Sequence, residues 1–278
     1  MLHLLLAIVS SALVSVTMRL SETKIKNNTA MLAVNYIMCA FLAWAYTGFD
    51  SWFLAGTGRQ PTVIMGWING ILYLAGFVLL QRNIRVNGVV LSATFIKLGL
   101  LVSMVVSVAF FGERPQVWQW GGFFLAVAAI VLMNYRPGEG EAGNKAGLLL
   151  LLLAGGGGDA MSKVFEELGN PAHSGHFLLY TFLVAFVLCT ALSAVRKQRS
   201  GKWEWLFGVL IGVPNFYSCR FLLLSLSAVP GVIAYPVYAV AGILLVTLAG
   251  VALFQEKLTR RQWIALAIIL GALILLNI

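Results

Sequence analysis

Charged side chains are scarce in this sequence. Asp, Glu, Lys and Arg make up only 10% of its 278 residues, whereas hydrophobic residues make up 60%. Soluble globular domains carry about 25% charged residues, so this chain has too few polar side chains to cover a globule in water. Lipid must be the solvent for most of its surface. The composition therefore predicts an integral membrane protein.

The sequence also lacks the motifs that bring metals, nucleotides or nucleic acids to a protein. Its 3 cysteines lie inside apolar runs without metal-ligand spacing, and it contains no HExxH run, nucleophile triad or phosphate-binding glycine loop. We therefore expect no metal, no cofactor, no enzymatic activity and no ATP-driven transport by this chain alone. The net charge of +9 comes mainly from connections between apolar runs, which suits an anionic bilayer surface and not nucleic acid.

Apolar runs of membrane-spanning length recur along the whole chain. A span needs about 20 mostly apolar residues, and backbone groups in lipid must be satisfied within the segment, so each run predicts a helix. The first run lacks the basic start of a cleavable signal peptide and is predicted to be a retained helix. The fold class is all-α, a polytopic membrane protein whose ten predicted helices lie near residues 2–20, 29–48, 62–81, 88–111, 116–135, 146–166, 174–195, 204–226, 231–254 and 261–278.

The two halves of the chain resemble each other. A shift of about 143 residues places Glu113 on Glu256, and no gap is needed across the two helices around each position. Since five is odd, a second set of five helices must enter the membrane from the side opposite to the first, which is an inverted repeat. We therefore predict a first five-helix repeat at 1–135, a connecting loop at 136–145 and a second five-helix repeat at 146–278.

Short motifs at the ends of the two predicted repeats point to a known family. They are Phe111-Gly112-Glu113-Arg114 with Gln119-Trp120-Gly121, and Phe254-Gln255-Glu256-Lys257 with Gln262-Trp263. These segments resemble the repeat ends of the drug/metabolite transporter superfamily of EamA type, and the resemblance covers essentially the whole chain. It implies a ten-helix transporter of amino acids, nucleotide precursors, sugar phosphates or drugs. Such a transporter works by alternating access, with its substrate between the repeats near the middle of the bilayer.

The distribution of basic residues predicts the orientation. Most Lys and Arg residues lie in the connections after the first, third, fifth, seventh and ninth predicted helices, whereas the other connections hold little beyond Arg59 and Arg114. The positive-inside rule places the basic connections in the cytoplasm. We therefore expect a multi-pass protein of the plasma (inner) membrane with both termini outside the cytoplasm, although ten-helix relatives more often resemble the reverse.

Two cations inside apolar runs are the leading candidates for substrate binding. Lys97 lies more than two turns from either end of the predicted fourth helix, and Arg220 lies in the predicted eighth. A charge in hydrocarbon costs roughly 2.5–3.5 kcal/mol, so such residues usually face a cavity or a partner. Both could contact a substrate carboxylate or phosphate, and Lys97 could instead titrate during transport. The alternatives are a structural ion pair for Lys97 and, for Arg220, a side chain that extends to the membrane surface.

Carboxylates provide the candidates for coupling. Asp159 follows a run of glycines in the predicted sixth helix and is the only carboxylate deep in any predicted helix, so it could carry a coupling proton. Lys163 lies one turn later on the same face and could neutralise it instead. Glu113 and Glu256 end the predicted fourth and ninth helices, each beside a basic residue. We predict that these two glutamates are structural caps or ion pairs.

The resemblance further implies that the third, fourth, eighth and ninth helices line the substrate cavity. Pro236 lies where the family often carries a proline in its ninth helix, and it could form a hinge by freeing a backbone carbonyl. Tyrosines also form belts at membrane surfaces, so each tyrosine candidate has that alternative. The polar and aromatic substrate candidates on these helices are Asn69, Tyr73, Thr94, Asn215, Tyr217, Tyr235 and Tyr238.

Several functions are compatible with these patterns. Deep cations outnumber deep carboxylates, which favours a secondary active transporter of a small anionic or zwitterionic metabolite, such as an amino acid, an organic acid or a phosphorylated compound. The alternative in the same superfamily is a multidrug efflux pump or a flippase for lipid-linked sugars; outside it, the alternatives are a membrane enzyme and a non-transporting scaffold. We expect a small-molecule substrate and the lipid bilayer as partners of a monomer, with a homodimer as the alternative.

Overall fold

The computed structural model describes residues 1–49, 54, 59–87, 89–134, 144–197, 200–255 and 257–278, which form helices with short connections and contain no strand. A short 3-10 turn at Pro171–His173 directly precedes the helix that begins at Ser174. The α-helices are α1 (Leu2–Ser21), α2 (Asn28–Tyr46), α3 (Arg59–Asn87), α4 (Val89–Lys97), α5 (Leu100–Ala109), α6 (Val117–Asn134), α7 (Lys145–Leu168), α8 (Ser174–Val195), α9 (Lys202–Leu226), α10 (Gly231–Phe254) and α11 (Arg260–Leu276). The predicted all-α fold class is confirmed.

Most of these helices are long and apolar enough to cross a membrane. Within the described ranges, 8 segments qualify as candidate membrane spans, and α4 and α5 together form one of them, Leu91–Ala109. The helix α6 is a shorter apolar helix, and α11 is an apolar helix of 17 residues. Helices therefore occupy each of the ten apolar runs seen in the sequence, and the chain is a polytopic membrane protein.

The helices form two compact units, and each unit draws on both halves of the chain. Unit one comprises Met1, Ala75–Lys163 and Ser225–Ile278, whereas unit two comprises Leu2–Leu74 and Val164–Leu224. Unit one therefore contains α4, α5, α6, α10 and α11 with most of α7. Unit two contains α1, α2 and α8 with most of α9.

In unit two, α2 packs antiparallel against α8. Arg196, just after α8, donates to the hydroxyl of Thr29 near the start of α2. At the other end of the pair, a Cβ added at Gly175 would lie 2.9 Å from Cγ2 of Thr47. The helix α9 runs parallel to α2, because the carboxylate of Glu204 at the start of α9 accepts backbone N–H groups just before α2. The α1–α2 and α8–α9 connections therefore lie at the same end of unit two.

In unit one, α6 packs antiparallel against α11, and α5 packs antiparallel against α10. A Cβ added at Gly122 near the start of α6 would lie 2.9 Å from Cγ of Leu276 at the end of α11. Glu113, after α5, accepts the backbone N–H groups of Gly231 and Val232 at the start of α10. An inverted repeat would relate each of these helices to its antiparallel neighbour, as it would α2 and α8. The division of the chain into two repeats itself stays a prediction.

The span formed by α4 and α5 changes its hydrogen bonding next to Lys97. The backbone N–H of Gly99 donates to Ile96 O at 3.2 Å, and that of Val102 donates to Gly99 O at 2.8 Å, so the helix tightens locally to a 3-10 turn. A Cβ added at Gly99 would lie 2.6 Å from the backbone nitrogen of Gly156 in α7. The sequence predicted an uninterrupted helix here, and the observed turn accompanies a backbone approach that only glycine permits.

Candidate functional site

Arg220, within two turns of the end of α9, is held by aromatic rings. Its guanidinium carbon lies 3.9 Å from the centroid of the Tyr46 ring. The hydroxyl of Tyr46 donates to that of Tyr217 at 3.4 Å, and Tyr217 stacks on Phe221 with ring centroids 5.6 Å apart. Within the described part of unit two, no carboxylate pairs with Arg220. A guanidinium stacked on a ring keeps its N–H edges for planar anions, so Arg220 can bind a carboxylate or phosphate.

Asn215 lies on the same helix and forms a polar contact with α2. Its Nδ2 donates to Oδ1 of Asn35 at 3.2 Å. One turn further along α2, the Cys39 thiol donates to the backbone carbonyl of Gly212 at 3.2 Å. Asn35 and Cys39 are both buried. These bonds satisfy polar groups inside two apolar helices, and they position the part of α9 that precedes Arg220.

Asn69 and Tyr73 lie one turn apart on α3, in unit two. Asn69 is buried, with 1% of its surface exposed, and its Nδ2 donates to Oγ1 of Thr181 at 3.4 Å. Its Oδ1 accepts no hydrogen bond from the described residues. The Tyr73 hydroxyl lies 3.1 Å from Sγ of Cys219. Buried amide oxygens normally accept a hydrogen bond, so Asn69 Oδ1 is a candidate acceptor for a substrate N–H or O–H group.

A continuous series of ring contacts connects these candidates. The Tyr73 and Tyr36 rings lie 6.1 Å apart, and those of Tyr36 and Phe182 lie 6.4 Å apart. Phe182 then contacts Phe216 at 6.4 Å, and Phe216 contacts Tyr217 at 5.4 Å. We call these five residues the aromatic cluster. It links Tyr73 with Tyr217 and Arg220 inside unit two, and it offers apolar surface with hydroxyl groups beside the guanidinium of Arg220.

Lys97 and Asp159 lie in unit one, on α4 and α7. Lys97 is exposed at the tightened turn, and Asp159 is half-buried directly after the glycine run. Neither charge takes part in an ion pair among the residues that the structure describes. Thr94, three residues before Lys97, is buried. Lys97 and Asp159 are therefore charges in membrane-spanning helices that no described side chain neutralises.

Three further candidates lie on α10. The Tyr235 hydroxyl donates to the backbone carbonyl of Asp159 at 2.8 Å, and Tyr235 is fully buried. Pro236, the next residue, is buried inside the helix, whereas Tyr238 is half-buried. The hydroxyl of Tyr235 therefore fixes the α7 backbone at Asp159 in this structure.

Glu113 and Lys163 form a buried ion pair in unit one. Nζ of Lys163 lies 2.9 Å from Oε1 of Glu113, and the two side chains are only 3% and 13% exposed. The Glu113 carboxylate also accepts the N–H groups of Gly231 and Val232, at 2.9 and 2.8 Å. It thus joins α7 to the start of α10, where a negative charge also suits the helix dipole. Glu256, its predicted counterpart, lies outside the described residues.

Sequence reasoning missed the partners of the candidate residues. Tyr46, which stacks on Arg220, lies at the end of α2 and was not among the predicted site residues. Asn35 offered a better signal, since an asparagine in the middle of a membrane helix usually hydrogen-bonds across to another helix. The ring contacts of Tyr36 with Tyr73 carry no sequence signal, because they join distant positions of the chain.

Comparison with known proteins agrees with this architecture. A profile of the EamA-like transporter family matches residues 145–278, beginning where α7 begins. Over these residues, about half of its length, the chain is similar to the EamA-like transporter family. The resemblance to EamA-type drug/metabolite transporters is thereby confirmed, and members of this family are membrane transporters rather than enzymes.

Individual relatives extend the likeness along the chain. An uncharacterized protein of Haemophilus influenzae is 21% identical over 287 residues, covering 98% of this chain and 96% of its own. Multidrug resistance protein EbrA of Bacillus licheniformis is 29% identical over 100 residues, which is 36% of this chain and 95% of EbrA. A solved crystal structure superposes with a TM-score of 0.73 at 16% identity, covering 99% of this chain and 94% of the other, and so supports the fold.

Proposed function

We propose that this EamA-like protein is a secondary active transporter of a small anionic or zwitterionic metabolite, working by alternating access. The observation that carries the proposal is the environment of Arg220, a cation in a membrane-spanning helix with aromatic neighbours and no carboxylate partner among the described residues. A charge in hydrocarbon is expensive unless it has a partner or contacts water. A substrate carboxylate or phosphate would supply the opposite charge.

The aromatic cluster suits the remainder of such a substrate. Its rings provide apolar surface. The hydroxyl of Tyr217 accepts a hydrogen bond from that of Tyr46, whose ring stacks on the guanidinium of Arg220. Asn69 Oδ1 could accept an amino or hydroxyl hydrogen of the substrate. An amino acid, an organic acid or a phosphorylated metabolite combines a planar or tetrahedral anion with such groups. Lys97 could meet a substrate anion in unit one by the same charge argument.

Asp159 is the candidate for coupling transport to a proton gradient. It is a carboxylate in a membrane-spanning helix, half-buried and without an ion pair among the described residues. Lys163, which could have neutralised it, instead pairs with Glu113 at 2.9 Å. A carboxylate that is not held by a fixed cation can bind and release a proton during the transport cycle. We therefore assign proton coupling to Asp159 and a structural role to Lys163.

The second candidate function is export of drugs. One relative is named a multidrug resistance protein, and the aromatic cluster also suits flat, apolar compounds. In that case Asp159 would bind a cationic drug, and Arg220 would play no part in substrate binding. The two functions therefore differ in the sign of the charge that the ligand carries.

A ligand screen distinguishes these functions. Purified protein is heated with amino acids, organic acids, phosphorylated metabolites and lipophilic cations, because a bound ligand stabilises the folded state, by about 2.7 kcal/mol at 100 times its Kd. We expect stabilisation by an anionic or zwitterionic compound. The Arg220→Gln variant should bind it at least tenfold more weakly, since a hydrogen bond to a charged group contributes about 1.5–3 kcal/mol.

The control is Arg19→Gln, which removes the same charge from an exposed pair with Glu22. This variant should respond to the ligand as the original protein does. Stabilisation by lipophilic cations alone, unchanged in Arg220→Gln, would instead favour drug export.

The membrane and its orientation follow from charge. We infer a location in the plasma (inner) membrane with both termini outside the cytoplasm, because the basic connections are expected inside. The meeting of the α1–α2 and α8–α9 connections at one end of unit two supports this, since both are rich in Lys and Arg. We also infer that the chain acts as a monomer, with a homodimer as the alternative.

A further inference from the structure

Unit two carries a groove on its surface between α2, α8 and α9. Its volume is about 380 Å³, and its lining is mostly apolar, with small side chains on two of the helices. Ala33 and Ile37 contribute from α2, Phe186 and Ala194 from α8, and Trp205 from α9. Trp205 and Ala194 are exposed. In a bilayer, the apolar lining of a groove on membrane-spanning helices suits an acyl chain.

One end of the groove is basic. Ser193 and Ala194 bring it to the end of α8, and Ser200 brings it to the connection before α9. The exposed lysines Lys197 and Lys202 lie in and next to that connection. On the neighbouring connection, before α2, Lys24 and Lys26 are exposed as well. A negatively charged group at this end would therefore meet several cations.

A carboxylate at this end of unit two is hydrogen-bonded to the backbone. Glu204 is buried, and its two oxygens accept the N–H groups of Lys26, Asn27 and Gly201 at 2.9, 3.3 and 2.9 Å. The Glu204 carboxylate therefore ties the two connections together and does not extend toward solvent. The helices α2 and α9 also both begin at this end, so their dipoles add partial positive charge. Arg19 and Glu22 form an ion pair before the α1–α2 connection, so together they add no net charge.

Tryptophans and lysines here are arranged as at a membrane–water interface. Trp203 and Trp205 are exposed at the start of α9, and Nζ of Lys24 lies 4.7 Å from the Trp203 ring centroid. Tryptophan is enriched at the level of lipid headgroups. The positive-inside rule assigns this end to the cytoplasm, whose leaflet contains anionic lipids, and basic pockets beside membrane helices on that side bind their headgroups.

We propose that this groove binds one anionic phospholipid, with an acyl chain between α2, α8 and α9 and its phosphate beside Lys197 and Lys202. The aliphatic and aromatic lining takes the chain, and the basic end takes the headgroup. A zwitterionic phospholipid fits the apolar part equally well but brings no net negative charge. The groove therefore selects by headgroup charge, independently of which solute the protein transports.

Native mass spectrometry of the full chain tests this site. The protein, released from nanodiscs that contain equal amounts of phosphatidylglycerol and phosphatidylcholine with identical acyl chains, should retain one phosphatidylglycerol. The double variant Lys197→Gln/Lys202→Gln should bind it about thirtyfold more weakly, because each lysine near a membrane surface contributes about 1 kcal/mol. Ala194→Phe should also lose the bound lipid, because the added ring fills the groove from an exposed position.

Lys257→Gln/Arg260→Gln is the matched control, since it removes two exposed charges from the connection between α10 and α11. It should retain phosphatidylglycerol. Equal retention of both lipids by the original protein, or equal loss in both double variants, would overturn the proposal. Binding of glycerol phosphate alone, as strong as binding of the whole lipid, would also overturn the proposal, because the acyl chain would then contribute nothing.

Discussion

The side chains of Glu113 and Lys163 illustrate how this chain tolerates charge inside apolar helices. Nζ of Lys163 lies 2.9 Å from Oε1 of Glu113, and the Glu113 carboxylate also accepts two backbone N–H groups. A buried ion pair contributes little net stability when intact, because desolvation offsets attraction, but loss of one partner leaves a buried charge unpaired. Replacing one of the two residues by an uncharged residue should therefore lower the stability of the protein more than replacing both.

Lys163→Met tests this asymmetry. We expect it to lower the free energy of unfolding by about 3–5 kcal/mol, because Glu113 would remain buried without its cation. Lys163→Met/Glu113→Gln should be less destabilised than the single variant, since no charge is left behind. Reversible unfolding in detergent micelles measures both.

Arg19→Gln is the matched change at an exposed ion pair, and it should lower the free energy of unfolding by no more than about 1 kcal/mol. If Lys163→Met unfolds no more readily than Arg19→Gln, the pair has no structural role in the folded protein.

At the scale of helices, glycine determines which elements can approach closely. A Cβ added at Gly156 would overlap the carbonyl oxygen of Gly99 and lie 2.8 Å from Cβ of Val102. The obstructing atoms include backbone, which cannot move aside as the end of a flexible side chain can. By contrast, a Cβ added at Gly242 in α10 would meet nothing within 4 Å.

Gly156→Ala and Gly242→Ala should therefore behave differently. The first should destabilise the protein by about 1–3 kcal/mol through overpacking between α5 and α7. The second should leave stability unchanged or raise it by up to about 1 kcal/mol, since alanine is the better helix former. Thermal unfolding of the two variants in one detergent compares them, and equal melting temperatures would refute the close contact.

The helices themselves could be predicted from the sequence, but their local breaks could not. Every apolar run became a helix, because the backbone in lipid has no other way to satisfy its polar groups. The turn at Gly99 escaped prediction, since it accompanies contact with Gly156 in another helix. Proximity along the helix offered Asp159 as a possible partner of Lys163, whereas the observed partner Glu113 approaches it from a distant part of the chain.

The candidate site was predictable only in part, for a related reason. Arg220 and Lys97 could be picked out because charge is rare in membrane helices, and that signal is local. The ring of Tyr46 and the cluster around Tyr36 depend on which helices pack together, which composition does not specify. Packing information was therefore required to show that Arg220 lacks a carboxylate among the described residues.

For the whole molecule, the predicted orientation has a direct test. Reporter fusions are made in a bacterial inner membrane, one at Ile278 and one truncated after Thr259, between α10 and α11. We expect alkaline phosphatase to be active, and green fluorescent protein dark, at Ile278. The truncated fusion should give the opposite result, because the basic connection there is predicted to be cytoplasmic. Fluorescence at Ile278 would contradict the orientation.

The central claim is that the chain moves an anionic or zwitterionic solute through contacts with Arg220. The most direct test is uptake of the stabilising ligand into liposomes containing purified protein, compared between the original chain, Arg220→Gln and Arg19→Gln. The account predicts uptake by the original chain and by Arg19→Gln, and uptake reduced at least tenfold in folded Arg220→Gln. Equal uptake by Arg220→Gln and the original chain would contradict it.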